Sequence, residues 1–231
     1  MAEHGPLVDP ATTPAWLRPV VEATRDLDPM MFHRLSPPSG NARDAAVLVL
    51  FGEHETRGPD VLLQLRADRG GAHSGQVAFP GGSSEPEDDG PVATALREAV
   101  EETGLDPSGV RPVAMLPRLH IPVSRFDVTP VLGHWEKPSR VWAVDPEESA
   151  AVARVPLADL ADPVNRFMCR HTTSGFLSPA FALPGMLVWG FTAALLTLLL
   201  ELGGWAKPWD GSDIRDLDAA WRSVKRSVGE E

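Results

Sequence analysis

Cysteine is nearly missing from this chain: one residue, Cys169, in 231. A single thiol excludes an internal disulfide framework and fits a reducing compartment. Cys169 reads as a small buried apolar residue, not a nucleophile. Basic charge is scarce as well. Against 32 Asp and Glu stand 21 Lys and Arg, a net charge of −11. That balance excludes a general nucleic-acid binder, whose footprint would be positive, and an anionic ligand would have to be drawn in by local cations and metal. The amino end lacks the basic and apolar regions of a signal peptide, so a cytoplasmic location is expected. No apolar run suits a membrane span either. Met186–Leu200 covers fifteen residues between Pro184 and Glu201 with no basic flank, short of the roughly 20 that a spanning helix needs. A buried core helix is expected there.

What is present is an ordinary globular composition, 43% apolar. Residues 1–13 read as a polar, mobile tail. Pro14–Thr24 reads as a short amphipathic helix kinked at Pro19, and a connector runs through Ser36–Gly40. Ala45–Phe51 and Val61–Leu65 are strands of a hairpin around a polar loop, Gly52–Asp60. Val110–Leu116, Val128–Trp135 and Ala150–Pro156 are further strands, Asp159–Asp162 is a short turn or helix, and Ile214–Val224 is a last amphipathic helix. Strands interleaved with helices suit an α/β fold, a three-layer α/β/α sandwich around a mixed sheet.

The chemistry concentrates between Phe79 and Leu105. Pro91 suits a first helical turn, with Asp89 or Gly90 as cap, and Gly104 stands where a left-handed C-terminal residue is wanted. At about 100° per residue, Val92, Leu96, Ala99, Val100 and Thr103 gather on one side of this helix. Glu98, Glu101 and Glu102 fall opposite, with Arg97 placed to brace Glu101. A Glu-rich face is ordinarily only a solvated face. Here the apolar side can dock the helix and hold the carboxylates on a rigid element. The preceding Phe79-Pro80-Gly81-Gly82 turn brings bare backbone close, where a carbonyl such as that of Gly81 can complete an oxygen-only shell. Hard divalent cations, Mg²⁺ or Mn²⁺, want such ligands and leave room for substrate phosphates.

Residues Arg97-Glu98-Ala99-Val100-Glu101-Glu102-Thr103-Gly104-Leu105 resemble the second half of the Nudix box, G-x5-E-x7-R-E-U-x-E-E-x-G-U, at every fixed position. The first half departs. Gly82 lies six residues before Asp88 and eight residues separate Asp88 from Arg97, as if one loop residue were inserted. The role of the box's first acidic residue therefore stands open between Asp88 and Asp89. The resemblance implies a Nudix core over residues 42–175, an N-terminal extension with a short helix over 1–41, and a C-terminal helical segment over 176–231 packed on the core. It also implies a catalytic set of Arg97, Glu98, Glu101 and Glu102, with Glu98, Glu101, Glu102 and Gly81 as metal ligands.

The approach to the box, Leu62-Leu63-Gln64-Leu65-Arg66-Ala67 through Gly75 to Phe79-Pro80-Gly81-Gly82, resembles the signature of the coenzyme A diphosphatase branch, L-L-T-x-R-[SA]-x3-R-x3-G-x3-F-P-G-G. Gln64 replaces the threonine and Gly71 the second arginine, with Arg69 two residues early and His73 two late. The stretches around His120 and around Gly190 resemble that branch too. This implies substrate contacts from Arg66, Arg69, His73, Gly75, Phe79, Gly81 and Gly82. It also implies hydrolysis of coenzyme A to 4′-phosphopantetheine and adenosine 3′,5′-bisphosphate. ADP-ribose or another nucleoside diphosphate derivative is the alternative substrate, and a non-catalytic nucleotide-sensing module is a third reading. The expected partner is a small nucleotide-type diphosphate, with no nucleic acid and no membrane; a homodimer is left open.

Overall fold

The strand β2 (Arg43–His54) carries an apolar residue at every position from Ala45 to Phe51, the pattern of a strand covered on both faces. Side chains alternate along a strand, so Ala46, Leu48 and Leu50 enter one core while Val49 and Phe51 enter another. The computed structural model, which describes residues 4–27, 42–67, 75–122, 124–171 and 175–227, surrounds this strand with a mixed sheet. The order is β1 (Gly5–Pro6), β6 (Val110–Met115), β8 (Phe126–Trp135), β2, β3 (Gly58–Arg66), β4 (Val77–Ala78). β2 lies parallel to β8, with Arg43 opposite Phe126 and Phe51 opposite His134, and antiparallel to β3. Three strands attach off this path: β5 (Gly81–Ser83) to β2, β7 (Leu119–Ile121) to β8, and β9 (Ser149–Pro156) to β3.

Helix α2 (Pro91–Thr103) covers one face, packing Ala95 and Ala99 with Ala46, Leu48, Leu50 and Leu62. The opposite face is covered by α1 (Arg18–Ala23) and α4 (Gly190–Leu202). Leu17, Val20 and Val21 share that core with Leu195, Leu196, Leu199, Val49, Phe51 and Leu63. Each such fully buried leucine or valine contributes roughly 1.5–3 kcal/mol relative to exposure. The result is three layers around one mixed sheet. The short α3 (Leu157–Ala161) follows β9. A second sheet, ordered β12 (Met186–Val188), β11 (Leu177–Leu183), β10 (Arg166–Arg170), β13 (Ile214–Asp216), is backed by α5 (Leu217–Ser227). Its core is Phe167, Cys169, Ala180, Leu187, Ala220 and Val224.

Several expectations need correction. Residues 5–13 are not a free tail: Gly5 and Pro6 pair with Met115 and Ala114, and Pro10–Thr12 form a 3-10 turn capped by the Asp9 side chain. The helix begins only at Arg18, so Pro19 sits in its first turn and not in its interior. The hairpin strands extend through most of the predicted loop, and only residues 55–57 turn. The apolar run from Met186 begins as strand β12, and helix α4 starts at Gly190, where φ is +64°. The C-terminal segment, expected to be helical, thus also supplies the strands β11, β12 and β13 beside its two helices. The Ser36–Gly40 connector lies outside the described residues. Among those described, no helix is long and apolar enough to cross a membrane.

Candidate active site

Two glycines put the carboxylates where they are. At Gly81 φ is +155°, and a Cβ would stand 2.3 Å from the Ala46 carbonyl oxygen. Only glycine lets β5 run this close to β2. At Gly82 a Cβ would stand 2.5 Å from Glu98 Cδ, so the bare backbone is what admits the Glu98 side chain. Helix α2 fixes the other half of the arrangement. Gly90 caps its start, Gly104 ends it at φ +63°, and the loop between β8 and β9 closes the last turn with Trp142 and Val144 N–H groups on the Thr103 and Glu102 carbonyls.

Glu102 is 8% exposed. Its Oε2 accepts from Gln64 Nε2 at 2.6 Å and from the Gly81 N–H at 2.8 Å, while Oε1 faces Arg66 Nη1 at 3.6 Å. The Gln64 amide is itself oriented, because its Oε1 accepts from Ser149 Oγ at 2.5 Å. Burial pushes the Glu102 carboxyl up to about 7, against the pull of the Gly81 and Gln64 hydrogen bonds and of Arg66. Glu98 is raised as well, again mainly by burial, with Arg97 opposing.

Arg97 ties the acidic residues together. Its Nε and Nη2 grip both oxygens of Asp88 at 3.0 Å, a bidentate pair. Nη2 also donates to the Ser83 carbonyl at 2.9 Å, and Nη1 reaches Glu98 at 3.0 Å and Glu101 at 3.2 Å. The Arg97 guanidinium holds the Asp88 carboxyl well below the usual range. Asp88, which also accepts from Thr94 Oγ1 at 2.9 Å, thus braces Arg97, and Asp89 is exposed.

The three glutamates were expected on one outer face. Instead Glu98 and Glu102 turn toward the sheet, and Glu101, 58% exposed, faces solvent beside Arg97. The reason is the docked face of α2: it runs through Ala95, Ala99, Glu102 and Thr103, so Glu102 is part of it. Among the described residues no three acidic, histidine or cysteine side chains gather into a ready metal shell. The donors still fit a hard divalent cation. Glu98 and Glu102 offer only oxygen, they flank the bare Gly81–Gly82 backbone, and burial raises both despite Arg97 and Arg66.

Both carboxylates open on a cavity of about 750 Å³. Its lining includes the acidic residues Glu85, Glu98 and Glu102 with the Gly81–Ser83 backbone, and the rings of Phe126, His171, Trp189 and Phe191. Of the expected substrate contacts, Arg66, Phe79, Gly81 and Gly82 line this cavity. Phe79, only 2% exposed, also packs into the core. Gly75 is not in the lining; it is a turn residue at φ +68° on which the Trp221 ring packs. Arg69 and His73 lie outside the described residues. His120 pairs with buried Asp127, Nδ1 to Oδ1 at 2.7 Å. Gln64, Ser149, His171 and Trp189 escaped the sequence reading. Gln64 had one signal, its place where the branch signature has threonine.

The family model for the NUDIX domain matches residues 41–170. The chain is 35% identical over 183 residues to a Salmonella dublin protein named "Uncharacterized Nudix hydrolase NudL", covering 77% of this chain and 90% of that one. The Salmonella typhimurium protein of the same name matches at the same identity and coverage. Among solved structures, the Nudix hydrolase RenU from M. smegmatis superposes with a TM-score of 0.51 at 21% identity, over 73% of this chain and 90% of that chain. That likeness is one of fold.

Proposed function

The chain belongs to the Nudix family, and from that premise we propose that it is a metal-dependent hydrolase of nucleotide-type diphosphates, with coenzyme A or its derivatives as the leading substrate. One observation carries the hydrolase reading: partly buried Glu98 and buried Glu102 meet the Gly81–Gly82 backbone in the lining of a cavity of about 750 Å³. Members of the family use divalent metal ions. Glu98 and Glu102 would hold Mg²⁺ or Mn²⁺ here, with Glu101 and the Gly81 carbonyl as further oxygens. Bound, the cation supplies Lewis-acid polarisation of the phosphoryl oxygens and offsets the charge that develops on them.

The rest is the work of the chain's own side chains. Arg97, anchored by Asp88 and Ser83, keeps Glu98 turned to the cavity. Gln64 and the Gly81 N–H fix Glu102 through Oε2, so that Oε1 is presented to the substrate side. That oxygen would accept the proton of the attacking water. Arg66, 3.6 Å from the same oxygen, would meet the negative charge of the diphosphate.

The coenzyme A branch rests on Arg66, Ala67, Gly75 and Phe79–Gly82 standing at the intervals of that signature. One observation favours ADP-ribose or a similar substrate instead. Arg66 is the sole Lys or Arg among the described residues lining the cavity, and it already faces Glu102. A 3′-phosphate would need another cation. The test is kcat/KM for coenzyme A, ADP-ribose and NADH, each with Mg²⁺, Mn²⁺ or chelator. Preference for coenzyme A, with 4′-phosphopantetheine and adenosine 3′,5′-bisphosphate as products, supports the branch. Equal or better turnover of ADP-ribose overturns it and leaves the hydrolase reading intact; no metal-dependent turnover of any of them overturns both.

A further inference from the structure

One wall of the cavity is built by a different part of the chain from its carboxylates. His171, Trp189, Gly190, Phe191 and Thr192 all line the cavity, and all follow residue 170, where the family match stops. His171 directly follows β10, and Trp189 links β12 to α4. Their rings meet edge to face, centroids 5.1 Å apart at 64°. The Phe176 ring also packs on the imidazole, centroids 5.8 Å apart, and Ser178 Oγ lies 3.1 Å from His171 Nε2. The imidazole is therefore fixed by two rings and a hydroxyl.

Among the described residues, this wall of the cavity carries rings and no lysine or arginine. Burial keeps the His171 pKa below its usual value, so at neutral pH it is an uncharged heteroaromatic ring. The one guanidinium in the described lining, Arg66, already faces Glu102, so the rings themselves offer a phosphate no charge partner. They do suit an uncharged planar group: aromatic faces and edges attract other aromatic faces. A flexible aliphatic arm would gain area but none of the ring-to-ring contribution.

We propose that Trp189 and His171 form the subsite for the nucleobase of the substrate, in the same cavity as the carboxylates that would handle its diphosphate. The inference rests on the nucleotide-diphosphate reading above and extends it by naming the residues that grip the base. It also gives the segment beyond residue 170 a part in selecting the substrate.

Calorimetric titration with AMP and with ribose 5-phosphate, in Mg²⁺ buffer, tests this without turnover, because neither ligand has a diphosphate linkage. The two differ only in the base. The wild-type chain should bind AMP at least about 10-fold more tightly, the scale of one base stacked on an aromatic ring. Trp189→Leu should bring the two affinities together, and Trp189→Phe should restore most of the preference. Equal affinities in the wild type, or an unchanged preference in Trp189→Leu, overturn the subsite. Should Trp189→Leu not fold, the wild-type comparison and His171→Leu decide by the same criterion. Trp189-dependent AMP binding in a chain that hydrolyses no diphosphate would keep the subsite and sink the hydrolase reading. Diphosphate hydrolysis without any preference for AMP would do the reverse.

Discussion

Gln64 Nε2 donates to Glu102 Oε2 at 2.6 Å, joining a strand to a helix across 38 residues of sequence. Both residues are buried, and Ser149 dictates which way the amide points. A buried carboxylate held this way has one oxygen committed and one left for chemistry.

Gln64→Met keeps the volume and withdraws the donor, leaving Glu102 Oε2 with the Gly81 N–H alone. The under-satisfied carboxylate should cost about 1–3 kcal/mol in urea denaturation. In kinetics, kcat should fall by a larger factor than KM rises. Ser149→Ala, which releases only the far end of the amide, should be milder on both counts. A Gln64→Met protein with wild-type stability and kcat would show that the hydrogen bond positions nothing.

The neighbouring glycines should fail differently. Gly81→Ala forces a Cβ against backbone, at 2.3 Å from the Ala46 oxygen, at a φ of +155°; loss of soluble folded protein is expected. Gly82→Ala meets the Glu98 side chain, which can swing away. That variant should fold, with its melting temperature near wild type, and lose most of its turnover. An active, stable Gly81→Ala would contradict the close approach of β5 to β2.

Metal dependence has a readout besides turnover. Mg²⁺ or Mn²⁺ should raise the melting temperature of the wild type by mass action and leave that of Glu102→Gln unmoved. The same substitution should lower kcat at least about 100-fold, the scale of one lost electrostatic group. Full activity in excess chelator, or in Glu102→Gln, would end the metal-hydrolase reading.

Acid should destabilise the fold partly through His134. Burial lowers its pKa from an unfolded value near 6.5, so the unfolded chain takes up the proton more readily. Stability is then complete above about 6.5 and drains away as pH falls through the lower, folded value. His171 is lowered by burial too and acts in the same direction. Between pH 7.5 and 5, the melting temperature of His134→Gln should fall less than that of the wild type. Parallel curves would place the acid sensitivity elsewhere.

Leu195 lies wholly inside the core beneath α4. Leu195→Arg would bury a charge with no partner, and unfolding or aggregation is expected, a loss above about 4 kcal/mol. A soluble Leu195→Arg with native circular dichroism would contradict the placement of this helix.

What could be read in the sequence was what is local. Pro91 and Gly104 delimit α2 to the residue, because a proline in the first turn and a left-handed glycine after the last act on their own neighbours. Glu102 was misplaced because periodicity knows only the helix: its burial is decided by Gln64 and Gly81, which reach it through the fold. The choice between Asp88 and Asp89 likewise needed the path of the loop around Arg97. Met186–Val188 read as helix because a short apolar run looks the same in either state; pairing with β11 made it a strand. Trp189 stood in the stretch around Gly190 that resembles the branch, but its pairing with His171 left no local sign, since the two follow separate strands.

The core that joins Leu17, Val20 and Val21 to Leu195–Leu200 also sets a timetable. A ribosome releases the first of these long before the last, and at roughly 5–20 residues per second the interval is on the order of ten seconds. Throughout it, the face of the sheet carrying Val49, Phe51 and Leu63 has no α4 to cover it. The nascent chain must therefore spend most of its synthesis with a greasy sheet face uncovered, and sealing must wait for its closing residues. A ribosome stalled before α4 should present a chain that chaperones grip and proteases cut, while one stalled after it should present neither.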